Sequence, residues 1–248
     1  MKLIKPDWPL PENVRAAVTA RIGGNSSGPW QSANFGLNSG DDIAVVNSNR
    51  KALQQQLGLQ RSPCWLRQVH GTTIVEAGSD SLEAEADGAI SRIPGLAAVV
   101  LTADCLPVLL CDRAGTVVAA VHAGWRGLAA GIIRACVADM GVAADNLLVY
   151  LGPAISQSQF EVGPEVRQQF AASAMGVEHQ QLIEASFTAG DGDRLQADIY
   201  QLARAELAML GVNDVYCGHY CTASQPELFY SYRREGVTGR MASLVWIE

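Results

Sequence analysis

The sequence lacks several features that would mark a common class of protein. No apolar run approaches the ~20 residues needed to span a bilayer. Positive charge is scarce, with 18 Lys and Arg against 25 Asp and Glu and a net charge of -7. This balance argues against nucleic acid and anionic membranes as partners, although local arginines can still bind small anions. We therefore expect no membrane segment and no nucleic-acid site.

The first residues also lack the apolar core of a signal peptide. Two lysines are present, but Pro6, Asp7, Pro9 and Pro11 interrupt the stretch that such a core would occupy. We therefore expect a cytoplasmic protein. In a reducing cytosol its 6 cysteines are predicted to be buried thiols or ligands and not a disulfide framework.

What the sequence does contain is ample apolar material for a core. Hydrophobic residues make up 48% of the 248 positions and charged residues only 17%, while glycine and proline are spread along the chain. No internal repeat or linker is visible, so we expect one domain over residues 1–248. Residues 78–86 are predicted to form an acidic loop.

Periodicity and capping signals predict a series of strands and helices. Strands are predicted at 14–20, 64–69, 72–77, 106–111, 116–121, 147–152 and within 238–247. Helices are predicted at 43–57, 128–140, 163–174 and 198–210. The segments 64–69 and 72–77 are expected to pair as a hairpin.

The stretch 96–127 carries the strongest chemical signal. Its two predicted strands flank a turn at 112–115, with Cys105 just before the first strand and His122 at the end of the second. A hairpin folded about the middle of this turn pairs Cys105 with His122, and a three-residue loop would shift the register by one. Paired residues have Cβ atoms ~5 Å apart. A thiol and an imidazole are therefore expected to meet at the open end of a buried hairpin.

These two side chains permit two kinds of chemistry. With a further imidazole, a thiolate suits a catalytic Zn²⁺ that keeps an open fourth position, and copper accepts the same ligands. Without metal, Cys105 can act as a nucleophile with His122 as its base. His70, at the end of the strand 64–69, is a candidate third ligand. A lone His after a strand is, however, more often a capped or core histidine.

A second cluster of possible ligands lies near the C-terminal end. In an extended strand over 215–221, Cys217, His219 and Cys221 would point to one face because side chains alternate. Three such ligands could hold a metal. The competing interpretation is two core thiols and one solvent-facing imidazole.

Eight short motifs extend over nearly the whole chain. They are RQVHG (67–71), TADCLPVLLCD (102–112), AVHAGWRG (120–127), LGPAI (151–155), FEVG (160–163), ADIYQLAR (197–204), SYRR (231–234) and TGRMAS (238–243). Together they resemble the YfiH-type family, also called the laccase-domain or peptidoglycan-editing-factor family of purine nucleoside phosphorylases. The resemblance implies a single-domain α+β fold of four layers, α/β-β/α, with mixed β-sheets.

The resemblance also implies a function and a metal site. It implies that His70, Cys105 and His122 bind zinc, with Cu²⁺ as an alternative ion. The implied activity is phosphorolysis of adenosine, inosine, guanosine and methylthioadenosine, together with deamination of adenosine. The expected partners are therefore purine nucleosides and phosphate, and the expected state is a monomer.

Further site residues follow from the matched motifs. Arg50 matches a family arginine for phosphate or nucleoside contact, and Asn34 is a candidate for lining the same pocket. Arg126 would offset phosphate charge, since guanidinium groups make bidentate hydrogen bonds. Asp104 can orient a ligand imidazole or a nucleophile, or it can cap a turn. The predicted catalytic residues are Cys105, His122, Arg50 and Asp104, and the predicted substrate-binding residues are Asn34, Arg50 and Arg126.

Two other functions compete with the nucleoside enzyme. One is a cysteine or zinc hydrolase that removes L-serine wrongly incorporated into peptidoglycan precursors. The other is a copper polyphenol oxidase, which ranks last because the chain lacks the several His-x-His pairs that a multicopper cluster requires. The chain also departs from the family pattern at 38–41, where Asn-Ser-Gly-Asp replaces a loop that often contains histidine.

Overall fold

Two β-sheets lie face to face in the middle of the molecule, and helices cover their outer faces. The computed structural model describes residues 1–78 and 83–248. Residues 79–82 of the predicted acidic loop lie outside the described residues. Within the described chain, no helix has both the length and the apolar character needed to cross a bilayer.

The bounds of the described elements are as follows. The strands are β1 (Leu3–Ile4), β2 (Val14–Thr19), β3 (Leu66–Arg67), β4 (Ile74–Glu76), β5 (Ala84–Glu85), β6 (Gly88–Ser91), β7 (Ala98–Thr102), β8 (Leu106–Asp112), β9 (Val118–Ala123), β10 (Leu147–Leu151), β11 (Glu161–Val162), β12 (Phe187–Ala189), β13 (Leu195–Ala197), β14 (Asp214–Cys217) and β15 (Met241–Ile247). The helices are α1 (Ile43–Gln56), α2 (Trp125–Ala129), α3 (Ile132–Met140), α4 (Pro164–Ala172), α5 (Val177–Ala185), α6 (Ile199–Met209) and α7 (Tyr232–Glu235).

The larger central sheet is mixed and the smaller one is antiparallel. The larger sheet has the order β14-β10-β8-β9-β6-β4, with parallel pairs at its two edges. The smaller sheet has the order β1-β2-β15-β7 and is antiparallel throughout. Two further small sheets, β11-β13-β12 and β3-β5, lie outside this pair.

Strand β8 shows how the layers form, because it is buried on both faces. Its residues Leu106, Val108 and Leu110 belong to a core shared with α3 and α6. Leu109 and Cys111 belong to a second core, which lies between the two central sheets. A third core joins the outer face of the smaller sheet to α1. The order is therefore helices, large sheet, small sheet and α1, which confirms the predicted four-layer α+β fold.

Aspartate caps begin α1 and α6, and most predicted helices are confirmed. Asp42 accepts a hydrogen bond from the Ala44 N–H at the start of α1, and Asp198 caps α6 in the same way. The predicted helix at 128–140 is wrong in one respect, because it is two helices. Gly131 has φ of 90° and separates α2 from α3.

The predicted hairpin of 64–69 with 72–77 is wrong. Strand β3 pairs in parallel with β5, whereas β4 pairs in parallel with β6 of the large sheet. The chain turns between them at His70, which has a positive φ of 62°. The two segments therefore diverge into different sheets and leave His70 at the point of divergence.

The central hairpin is present, but its predicted register is wrong. Leu106 pairs with Ala123 and Pro107 with His122. The shift arises because the loop holds four residues, 113–116, closed by a hydrogen bond from the Asp112 N–H to the Val117 carbonyl. Cys105 therefore lies just beyond the last strand pair, beside His122 but not opposite to it.

Candidate active site

Three predicted ligand side chains lie together at the open end of the β8–β9 hairpin. The ligand atoms of His70, Cys105 and His122 all lie within 4.8 Å of one another. The Cys105 Sγ is 3.8 Å from the His70 Nε2, and the two imidazole rings meet edge to face at 79°. Within residues 1–78 and 83–248 this is the only group of three or more metal-type ligands.

Three different chain segments deliver these ligands. His122 belongs to β9 and is buried, Cys105 precedes β8 and is half-buried, and His70 lies on the exposed turn after β3. Exposure thus increases from His122 to His70. The cluster is anchored in the large sheet on one side and accessible from outside on the other.

A glycine beside the ligands keeps the site open. A Cβ atom at Gly124 would lie 2.8 Å from the His70 Cδ2 and 3.3 Å from the Cys105 Sγ. Any side chain at this position would therefore displace a ligand. Gly124, just after β9, is therefore needed for the three ligands to lie together.

The residues present fit a single metal ion of the catalytic type. In tetrahedral zinc, bonds of about 2.0 to 2.3 Å set the ligand atoms roughly 3.5 Å apart. The observed spacing is close enough that small side-chain rotations would reach it. Two imidazoles and one thiolate suit zinc, and they also suit copper, so the donor set does not choose between them.

The thiol and the buried imidazole shift each other's pKa. Burial opposes ionisation of Cys105, but His122 and His70 outweigh it and lower the pKa of the thiol to about 6. Burial also disfavours the charged form of His122, but the Cys105 thiolate and Asp87 raise its pKa to about 9. The side chains therefore already favour a thiolate at neutral pH, which is the form that binds metal or acts as a nucleophile.

A fully buried carboxylate, Asp87, contacts both histidine segments. Its Oδ1 accepts a hydrogen bond from the His122 Nδ1 at 2.8 Å. Its two oxygens also accept from the backbone N–H groups of Val69, His70 and Gly71. Burial favours the neutral acid, but these bonds outweigh it and hold the pKa of Asp87 below its ordinary value.

The ligand cluster opens onto a cavity of about 520 Å³, a size typical of small-molecule sites. Four arginines lie in its wall: Arg50, Arg126, Arg233 and Arg240. Aromatic side chains in the wall are Trp125, Phe160 and Tyr232. The cavity thus combines positive charge for an anion with flat apolar surface for a ring.

Two of the predicted arginines lie in this wall. Arg50 is buried, stacks on Trp65 with its Cζ 4.2 Å from the ring centroid, and donates to the Phe35 carbonyl and to Glu83. Arg126 is exposed and stacks on the neighbouring Trp125. Arg50 is therefore held rigidly, whereas Arg126 lies at the rim.

Asn34 does not line the cavity, whereas Asp104 does. Asn34 is fully buried behind the wall, where its amide donates to Ser39 and accepts from the Arg240 N–H. Asp104 lines the cavity, but its oxygens accept from the Thr222 and Ser231 hydroxyls and from the Arg233 N–H. Asp104 therefore binds the segment 222–233 to the wall of the cavity. The carboxylate that contacts His122 is Asp87.

The rival cluster at the C-terminal end does not form a three-ligand group. Strand β14 ends at Cys217, which has a φ of 63°, so the alternation of side chains stops there. The Cys217 Sγ lies 3.5 Å from the His219 Nδ1, whereas the Cys221 Sγ accepts a hydrogen bond from the Ser156 hydroxyl. The predicted common face over 215–221 is wrong.

Sequence reasoning missed Asp87, the arginines Arg233 and Arg240, and the aromatic residues of the cavity wall. Both arginines stand in quoted motifs, 231–234 and 238–243, which could have marked them. Burial lowers the pKa of Arg240 while Cys105 and Asp104 raise it, which reflects its place beside the ligands. For Asp87, the available signal was the expectation that a ligand histidine donates its other ring N–H to a carboxylate.

The fold and the site define a mixed α+β protein with a His-Cys-His cluster at the end of two central strands of its large sheet. A family model described as "Multi-copper polyphenol oxidoreductase laccase" matches residues 15–248. The chain therefore belongs to this family, the laccase-domain or YfiH type.

Named relatives cover the full length of the chain. Purine nucleoside phosphorylase PA4543 of Pseudomonas aeruginosa is 50% identical over 245 residues, which is 99% of this chain and 98% of that protein. Purine nucleoside phosphorylase YfiH of Escherichia coli is 46% identical over 99% of both chains. The crystal structure of Neisseria meningitidis protein NMB0706 has a TM-score of 0.93 and 44% identity over 99% of both chains.

Proposed function

We propose that this chain is a metal-dependent purine nucleoside phosphorylase that also deaminates adenosine. The proposed ligands of a zinc ion are His70, Cys105 and His122, with copper as the alternative ion. The proposed substrates are phosphate and adenosine, inosine, guanosine or methylthioadenosine. We propose that the protein acts as a single-domain monomer in the cytoplasm.

One observation carries this proposal: the ligand cluster opens onto a cavity whose wall holds four arginines and three aromatic side chains. Phosphate needs guanidinium donors, and a purine needs flat apolar contact. The relatives named purine nucleoside phosphorylase, at up to 50% identity, support the same conclusion.

The roles of the protein's own residues follow from their positions. Arg50 and Arg240 would bind phosphate and hold it for attack on the anomeric carbon of the ribose, as the glycosidic bond breaks and the purine leaves. Trp125 and Phe160 would hold the purine. Asp87 binds the proton-bearing Nδ1 of His122, so the Nε2 is the ring nitrogen that would bind a metal. When bound, zinc would supply a Lewis acid in the same cavity.

The first experiment incubates purified protein with adenosine, with and without phosphate, before and after treatment with a chelator. We expect adenine and ribose 1-phosphate only with phosphate, inosine with or without phosphate, and loss of both activities after chelation. Elemental analysis of the purified protein identifies the metal. The absence of product in every condition would contradict the proposal.

A second candidate is the hydrolase that edits L-serine-containing peptidoglycan precursors. It is favoured by the chain of contacts from Cys105 to His122 to Asp87, which matches the nucleophile, base and orienting carboxylate of a cysteine hydrolase. Cleavage of such a precursor without any nucleoside product would establish it. Polyphenol oxidation ranks last, because the whole sequence has only 4 histidines.

A further inference from the structure

We infer that Asp87 is the positioning residue of the candidate metal site, a single buried carboxylate that fixes both imidazole ligands at once. The inference rests on the proposed function, because it concerns the same His70, Cys105 and His122 cluster. It goes further in assigning the geometry of the cluster to a residue that is not itself a ligand.

Every acceptor position of Asp87 is occupied by a donor of the site. Its Oδ1 accepts from the His70 N–H at 2.9 Å and from the His122 Nδ1 at 2.8 Å. Its Oδ2 accepts from the Gly71 N–H at 2.7 Å and from the Val69 N–H at 3.2 Å. A carboxylate has about four lone-pair sites, so all of them are used. The group is fully buried, which leaves no water to replace a lost bond.

The hydrogen bonds from backbone N–H groups to Asp87 set the orientation of the His70 side chain. Three successive N–H groups, of Val69, His70 and Gly71, converge on the carboxylate and form an anion-binding nest. To do so, His70 adopts a φ of 62°, in the left-handed region that non-glycine residues seldom use. The carboxylate stabilises this backbone. Without the Asp87 carboxylate, no hydrogen bonds would hold the turn in the conformation that places the His70 imidazole beside Cys105.

The side chain of Asp87 fixes the orientation of the His122 ring, with the Nδ1 directed at the carboxylate. An ionised carboxylate only accepts hydrogen bonds, so the bond at Nδ1 requires the proton to be there. The Nε2 is then the ring nitrogen that can give up its proton to bind a metal. The backbone also links the two residues, since the His122 N–H donates to the Asp87 carbonyl at 2.7 Å.

The same hairpin supplies a matched control. Asp112 is also a buried carboxylate filled by hydrogen bonds, but it accepts them from Thr116 and Val117 at the opposite end of β8 and β9. It touches no ligand. Asp87 and Asp112 are thus alike in burial and bonding and differ in what they position.

The experiment compares Asp87→Asn with Asp112→Asn in the full chain. An amide replaces one acceptor of Asp87 with a donor, which faces N–H groups in either orientation. We expect zinc affinity, measured by competition with a chromophoric chelator, to fall about 10- to 100-fold in Asp87→Asn. Asp112→Asn should keep the wild-type zinc affinity, while both substitutions lower the Tm of the metal-free protein.

A second measurement uses the wild-type protein and does not depend on the folding of a variant. By NMR we expect a slowly exchanging proton on the His122 Nδ1 and protected amides at 69–71, although this turn is exposed. Rapid exchange at these positions overturns the inference. So does unchanged zinc affinity in Asp87→Asn. A wild-type chain that binds no zinc overturns the proposed metal enzyme together with the inference, whereas zinc binding unaffected by Asp87→Asn overturns the inference alone.

Discussion

The carboxylates at the two ends of the β8–β9 hairpin differ in the distance along the chain over which their hydrogen bonds are made. At the closed end, the Asp112 carboxylate accepts hydrogen bonds from Thr116 and Val117, which are 4 and 5 residues away. At the open end, Asp104 accepts from Thr222 and Ser231, 118 and 127 residues away. The Asp112 carboxylate thus stabilises its own turn, whereas the Asp104 carboxylate joins distant segments.

This difference explains why the candidate ligands lie at the open end. At the closed end, the Asp112 carboxylate accepts hydrogen bonds from residues of its own turn, so it is not available to a ligand. At the open end, the left-handed backbones of His70 and Asp104 persist because contacts with other segments hold them. Strained residues held in this way place side chains where no regular strand would place them.

The largest expected effect distinguishes two cysteines of the same hairpin, Cys105 just before β8 and Cys111 within it. Cys105→Ala removes the only thiolate of the ligand cluster, so we expect zinc affinity to fall more than about 100-fold and nucleoside turnover to be lost. Cys111→Ala, six residues on, should keep both, with a loss of about 1 kcal/mol in stability. Cys111 lies in the apolar core, and burial and then Asp112 raise its pKa to about 12.

The measurements are zinc content, phosphorolysis of inosine and denaturant unfolding of the two variants. Unchanged zinc content in Cys105→Ala would rule out the ligand assignment. Loss of zinc in both variants would mean that the metal depends on the hairpin as a whole and not on its open end.

The distinction between local and long-range contacts also decides what the sequence could predict. Features with local causes were predicted: the cap at Asp42, the stop of α1 before Gly58 and the buried strand β8. Even the register of the hairpin depended on how Asp112 closes its loop, and counting residues from a presumed turn centre missed this by two positions.

The residues of the site could be predicted only where they stand in the motifs shared with the family. The ligand set followed from the resemblance, since nothing local places His70 beside Cys105. The role of Asp87 depends on three backbone N–H groups that converge after the fold has formed. The displacement of Asn34 to a place behind the wall depends on its bond to Arg240, 206 residues away. Periodicity does not encode such contacts.

An intermediate effect is expected from two glycines, one at each end of the hairpin. Gly124→Ala places a Cβ 2.8 Å from the His70 Cδ2, so the exposed imidazole must move away. We expect zinc affinity to fall on the order of tenfold. Gly115→Ala would overlap the Asn13 side chain and strain a backbone with φ of 67°. It should lower stability by roughly 1 to 2 kcal/mol and leave zinc affinity unchanged.

Zinc titration and thermal unfolding of both glycine variants test this contrast. The comparison would fail if Gly115→Ala lost zinc as readily as Gly124→Ala, or if Gly124→Ala bound zinc like the wild type.

The smallest expected effect concerns a carboxylate that phosphate is expected to displace from its arginine partner. Unlike Asp112, the Glu83 carboxylate is exposed and binds the guanidinium of Arg50, at 2.7 Å, in the wall of the cavity. We expect incoming phosphate to compete with Glu83 for Arg50. Glu83→Gln should therefore lower the KM for phosphate about three- to fivefold, which corresponds to an exposed ion pair of up to about 1 kcal/mol.

Glu85→Gln is the matched control, since Glu85 pairs with Arg67 at the same distance of 2.7 Å but away from the cavity wall. Steady-state phosphorolysis at varied phosphate concentration compares the two variants, and deamination of adenosine serves as a phosphate-free reference. Deamination should stay at the wild-type rate in both, because no anion has to displace Glu83. An equal KM for phosphate in the two variants would remove Arg50 from the phosphate site. A lower KM in Glu83→Gln alone would show that phosphate displaces a carboxylate from Arg50 in the cavity at the open end of the hairpin. The Asp112 carboxylate at the closed end is held by its own turn and cannot be displaced in this way.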